Sequence, residues 1–234
     1  MGKRTVEETS LVAVADTIRE KTGTTDKLVF PEGLKSAVEG LVDPGTYLGE
    51  VMNLEVTELV NNSVTRVPPF LQEGSTKLEK VDMTAVTTVG EKSFYACTKL
   101  AYVNLPAMKS VDPQSFGNCS ALTELYLPSL ETINGWGYTF SYCPNLQKVH
   151  LPKLTNITAA AFAGCSKLSA LILGVGSVCA LASTDALAET PIASGAGCIY
   201  VPKALVDSYK AATNWSTYAS KFRAIEDYPD ITGG

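Results

Sequence analysis

The sequence is poor in the residues that most chemistry needs. It has one histidine, His150, among 234 residues, and its six cysteines include no C-x-x-C pair. Protein zinc sites draw on such pairs at short spacing, so no metal site and no cofactor is expected. There is no G-x-S-x-G, no Walker-type phosphate loop and no H-E-x-x-H. No nucleophile, base or phosphate cradle is therefore visible at a usable spacing, and no enzyme is expected. A polysaccharide hydrolase would need two converging carboxylates, and only Glu124 and the more distant Asp82 are on offer. The 19 Lys and Arg residues never form a run, and the net charge is -5. Nucleic-acid binding is excluded on that ground. No stretch of about 18 apolar residues exists, so no membrane span is expected. Met1 to Glu8 carries the charge of a signal n-region with no apolar core after it, which predicts synthesis in the cytoplasm without a signal peptide.

What the chain has is a repeat. Phe94-Tyr-Ala-Cys97 is followed by Leu100, Val103, Leu105-Pro106, Met108 and Val111. Phe116-Gly-Asn-Cys119 opens the same series through Leu122, Leu125, Leu127-Pro128, Leu130 and Ile133. Phe140-Ser-Tyr-Cys143 opens it again through Leu146, Val149, Leu151-Pro152, Leu154 and Ile157. Phe162-Ala-Gly-Cys165 starts a fourth line with Leu168, Leu171 and Leu173. The period is 22 residues, lengthened to 24 where Asn134-Gly-Trp-Gly-Tyr138 adds two. Alternating apolar residues read as a half-buried strand, and the proline that follows three of the strands, at 106, 128 and 152, removes a backbone donor and ends the strand.

One such coil cannot bury its own apolar face. Stacked coils, with strands about 4.8 Å apart, share a continuous core. The Phe, Cys, Leu and Val columns would each form an interior ladder. Four cysteines share one column, so they are expected to act as small buried hydrophobes rather than disulfide partners. Weaker lines precede these, through Val56, Leu59, Val64, Val67 and Phe70, and then Leu78, Val81, Met83, Val86 and Val89. Asn61 stands where Leu105 stands later, and a forward extension runs through Leu187, Ile192 and Ile199-Tyr-Val-Pro202. The total is about six coils, enough for a stable stack.

The pattern F-x-x-C-x-x-L-x-x-V-x-L-P-x-L-x-x-I resembles the BspA-type leucine-rich repeat of bacterial surface and phage proteins. The resemblance covers roughly Val56 to Ile225. It implies a right-handed solenoid with short strands on one face and irregular or helical turns on the other. With the helical segments read at its two ends, the expected fold is an α+β solenoid of parallel strands with a small helical module before it and a helical cap after it.

Three regions follow. Residues 1–43 do not carry the repeat. Leu11, Val14, Ala15 and Ile18 share one helix face ending near Gly23, and Leu34, Val38 and Leu41 share another after Pro31. Ser10, Leu11, Ala15, Asp16, Ile18 to Gly23, Leu28 and Phe30 to Gly33 resemble a module of tail-associated proteins in phages and prophages of Gram-positive bacteria. The resemblance implies attachment to other virion proteins through residues 1–43, a homo-oligomer such as a trimer, and a virion location in the tail. A plain end cap is the alternative. Residues 47–202 are the solenoid. Residues 203–234 form a C-terminal helical cap and tail that resembles the end of phage versions of the repeat. Ala204 to Phe222 reads as helical, with Trp215 as the plug of the open apolar end.

Function is expected to be binding without catalysis, to a protein or a surface glycan, by a phage tail-associated or host-surface-binding protein. The alternative is a BspA-like interaction scaffold or adhesin not tied to a virion. Outward strand positions form one row of Glu58, Lys80, Tyr102, Glu124, Lys148 and Ala170, and a second of Val60, Asp82, Asn104, Tyr126, His150 and Ile172. In the middle lie Tyr102, Asn104, Glu124, Tyr126, Lys148 and His150. Tyrosines among amides and mixed charges suit recognition, because the ring is amphipathic and has little rotamer entropy to lose. The same rings could equally stabilise cross-strand pairs. The inserted loop, with Trp136 and Tyr138, is the second candidate, because an insertion in one coil maps to a loop.

Overall fold

The computed structural model describes residues 56–174 and 176–232. The proposed helical module at 1–43 lies outside the described residues. Each coil contributes two strands in chain order. They are β1 (Glu58–Val60) and β2 (Arg66–Val67), β3 (Lys80–Asp82) and β4 (Thr88–Val89), and β5 (Tyr102–Asn104) and β6 (Ser110–Val111). Next come β7 (Glu124–Tyr126) and β8 (Thr132–Ile133), β9 (Lys148–Leu151) and β10 (Asn156–Ile157), and β11 (Ala170–Leu173) and β12 (Ala180–Leu181). The chain then adds β13 (Cys198–Val201) and β14 (Phe222–Ala224).

All pairings are parallel and follow the repeat register, for example Lys80 with Tyr102 and Tyr126 with His150. The longer strands make one face, but in two sheets: β1-β3-β5, and β7-β9-β11-β13-β14. The short strands are also divided, into β2-β4-β6-β8 and β10-β12. The second break falls where the two-residue insertion displaces the chain after β8. There the Asn156 side-chain amide, at 3.3 Å, takes the Ile133 carbonyl.

The interior is built from the columns. Phe94, Phe116, Phe140 and Phe162 stack in sequence with centroids 5.3, 5.7 and 5.4 Å apart. Each column cysteine donates its S–H to a phenylalanine-column carbonyl of the coil before. Cys97 reaches Gln72 at 3.1 Å, Cys119 reaches Phe94 at 3.2 Å, Cys143 reaches Phe116 at 3.2 Å and Cys165 reaches Phe140 at 3.1 Å. The thiols are therefore hydrophobes with a donor that a methyl group would lack. Burial pushes Cys97 up to about 12. Hydrogen bonding to Cys119 for Cys143, and to Cys143 for Cys165, followed by burial, raises those thiols well above the usual range. Such cysteines stay protonated and unreactive.

The first coil departs from the columns. Gln72, not Phe70, is the counterpart of Phe94: its N–H bonds Ser93, just as Phe94 bonds Ser115. Phe70 is half-buried and belongs to a turn position instead. Each coil bends through left-handed backbone twice. Phe70, Lys92, Gln114, Tyr138 and Ala160 form one series, and Gly74, Ala96, Asn118, Tyr142 and Gly164 the other.

The far end is more elaborate than a helical cap alone. The four-residue helix α1 (Pro191–Ser194) is capped by Thr190, whose hydroxyl accepts from Ala193 N. Helix α2 (Val206–Ala211) and a 3-10 segment (Trp215–Lys221) occupy the region read as helical, and the chain then adds β14 against β13. Asn214 donates to the carbonyls of Leu181 and Ala182, satisfying the open side of β12. Trp215 is fully buried and donates to the Cys179 carbonyl at 2.6 Å.

Candidate binding surfaces

The six strand-face residues all point outward, on two sheets rather than one. Tyr102 and Asn104 lie on β5, and Glu124, Tyr126, Lys148 and His150 lie on β7 and β9. Tyr102 is 49% exposed and Tyr126 56%. Tyr126 stacks on His150 with ring centroids 4.9 Å apart. Lys80 stands 5.7 Å above the Tyr102 ring and also pairs with Glu58 and Asp82 at 3.7 Å. Asn104 donates to Asp82 at 2.8 Å, and Lys148 reaches Glu124 at 4.0 Å. Asp82 and Glu124 are thus each engaged with their own partners, on strands with β5 between them. Val103 is only half-buried, unlike Val81, Leu125 and Val149 at the same register, so the core is least covered beside the β5–β7 break. Ile172, expected to face solvent in the second row, is fully buried between its paired neighbours His150 and Tyr200.

Burial, and then the Lys148 charge, lowers His150 from its usual value of 6.5. The folded protein therefore holds a neutral imidazole. Above pH 6.5 this costs nothing. As pH falls below that, the unfolded chain takes up the proton first and stability declines until the folded pKa is passed. His150→Gln is expected to flatten the decline in urea midpoint between about pH 6.5 and 5. An unchanged slope would mean that His150 does not titrate differently on folding.

The second candidate lies away from this face, in the turn after β8. Trp136 is 55% exposed and Tyr138 37%, with rings 5.8 Å apart and tilted at 56°. The loop is set by Gly137. Its φ is 114°, and a Cβ there would meet the Ala159 carbonyl oxygen at 1.9 Å. Only glycine fits both demands. Tyr142, four residues after Tyr138, is 48% exposed and was not anticipated from the sequence. The signal was present: its column otherwise holds the small or turn-forming residues Gly74, Ala96, Asn118 and Gly164. A Cβ at Gly164 would lie 2.5 Å from the Tyr142 ring, so that glycine makes room for it.

No group of three or more His, Cys, Asp or Glu side chains converges as a metal site among the described residues. No helix among them is long and apolar enough to cross a membrane.

The family described as BspA type leucine-rich repeat region matches residues 52–177 in six copies. Among curated proteins none matches the chain. Solved structures share the fold. The pneumococcal vaccine antigen PcpA is 12% identical, with a TM-score of 0.55 over 72% of this chain and 40% of that one. A leucine-rich repeat protein of T. pallidum is 26% identical, with a TM-score of 0.47 over 55% of this chain and 70% of that one. One from Bacteroides ovatus is 19% identical, with a TM-score of 0.38 over 65% and 52%. The chain thus spans less than half of the pneumococcal antigen.

Proposed function

The chain belongs to the BspA-type leucine-rich repeat family, and from that premise we propose that it is a non-catalytic scaffold that binds a protein partner through its strand face. One observation carries this reading: Tyr102 and Tyr126, on adjacent coils and on either side of the break between the two sheets, are about half exposed amid paired charges. Rigid, amphipathic aromatics in such surroundings are the usual anchors of protein interfaces. The surrounding ion pairs would set orientation rather than strength. Attachment to a larger assembly, a phage tail, is assigned to residues 1–43 on the sequence resemblance of that segment.

Two measurements test the two parts. A partner isolated from bacterial surface proteins should lose at least tenfold in affinity for the Tyr126→Ala chain, with Tm unchanged. Undiminished affinity would remove the strand face from the proposal. Light-scattering mass of the whole chain should exceed that of one copy and fall to a monomer when residues 1–43 are deleted. A monomer in both cases would leave those residues as an end cap and detach the scaffold from a virion.

A further inference from the structure

The turn that carries the insertion and the coil after it depart from the repeat. Tyr138 and Tyr142 occupy the two left-handed positions that recur along the stack, with φ of 60° and 54°, and place aromatic rings at both. The strand ladder is interrupted between β8 and β10. The hydroxyls of Thr139 and Thr158 are buried with no hydrogen-bond partner among the described residues. Ser93 and Ser115, at the same position as Thr139 in earlier coils, both bond backbone carbonyls. An inserted turn that presents large aromatics beside such a departure from the repeat is a candidate functional site.

We propose that this turn, with Trp136, Tyr138 and Tyr142 as its platform, binds an uncharged oligosaccharide. Three of the exposed large hydrophobic side chains fall within seven residues here, which is a patch and not scatter. The rings are held in place. Trp136 and Tyr138 support each other, and Tyr142 lies in the space left by Gly164. A preformed platform has less entropy to lose on binding.

The chemistry of the surroundings selects the ligand class. No charged residue occurs in 113–123, in 132–147 or in 154–166, the three neighbouring turns. The nearest carboxylate along the row, Asp112, is occupied by the Asn134 amide at 2.9 Å. A charged polymer or an anionic membrane would find no counter-charge. Pyranose rings present C–H faces that stack on aromatic rings, and their hydroxyls bond amides such as Gln114 and Asn118, the half-buried counterparts of Tyr138 and Tyr142 one coil earlier. This site is separate from the strand face and does not depend on the reading given for it.

The chain has 2 tryptophans, and Trp215 is fully buried, so a change in emission on titration reports Trp136. The whole chain is screened on a glycan array and then titrated with cellohexaose, maltohexaose, chitohexaose and an oligogalacturonate. At least one uncharged glycan should bind and shift the emission. Trp136→Ala and Tyr142→Ala should each weaken it at least tenfold, the first read by calorimetry. The buried emission of Trp215 shows that both variants are folded, and Tyr126→Ala should leave the affinity unchanged. Binding of no glycan, binding of charged glycans alone, or equal affinity in both turn variants would overturn the proposal.

Discussion

Phe116→Ala is expected to lower stability by about 4 kcal/mol, and to shift Tm down by about 10 °C, the change usual for that loss in a chain of this size. Phe116 is fully buried and stacks on Phe94 at one side and Phe140 at the other. Alanine removes the transfer energy of the ring and leaves a cavity that neighbouring coils cannot close, because their strands and turns are hydrogen-bonded at fixed spacing. It also removes two ring–ring contacts, each worth roughly 0.5–1.5 kcal/mol beyond burial. Phe162→Ala, at the ladder's end, removes one ring contact, with Phe140. It should cost less by about one such contact. Urea unfolding of both variants checks the order. A solenoid is held by contacts between neighbouring coils, so Phe116→Ala should also broaden the transition as the two halves uncouple. Equal losses in the two variants would mean that the stacked rings act as separate hydrophobes.

Trp215→Ala should cost about 5 kcal/mol and free the C-terminal segment before the rest of the stack unfolds. The indole is fully buried, lies 5.7 Å from the Tyr209 ring and 5.8 Å from Phe222, and donates to the Cys179 carbonyl at 2.6 Å. Alanine therefore leaves a large cavity and strips the Cys179 carbonyl of its indole donor. Trp215→Phe keeps the ring contacts and drops the N–H, so its loss should be nearer 1–3 kcal/mol. Hydrogen exchange read by residue should show protection lost first across 203–232 in the alanine variant, with the Phe ladder still protected. Uniform loss of protection would mean that the end and the middle of the stack unfold as one unit.

The ladder and the plug were legible because each announces itself locally. Phe94, Phe116, Phe140 and Phe162 recur in one register, and a lone tryptophan after the last repeat has little else to do than close an apolar end. Trp136 between two glycines could be placed in a loop. Its exposure could not be assured, since a tryptophan in a loop can fold back. Tyr142 was missed because attention to F-x-x-C passes over its second variable position; only the left-handed backbone makes a tyrosine there anomalous. The strand at 222–224 was read as the end of a helix, because three residues carry too little periodicity to separate the two.

By itself, the sequence determined the period, the inward columns, the strand positions and the division of the three central coils by proline. A 22-residue repeat with alternating apolar residues has one economical way to share a core. Only the tertiary structure decided that Ile172 is covered, that the strand face is split between β5 and β7, and that the buried Thr139 hydroxyl has no partner among the described residues. Those outcomes depend on how side chains and backbone of one coil meet those of the next. They are contacts between residues 22 or more apart, and no local pattern carries them.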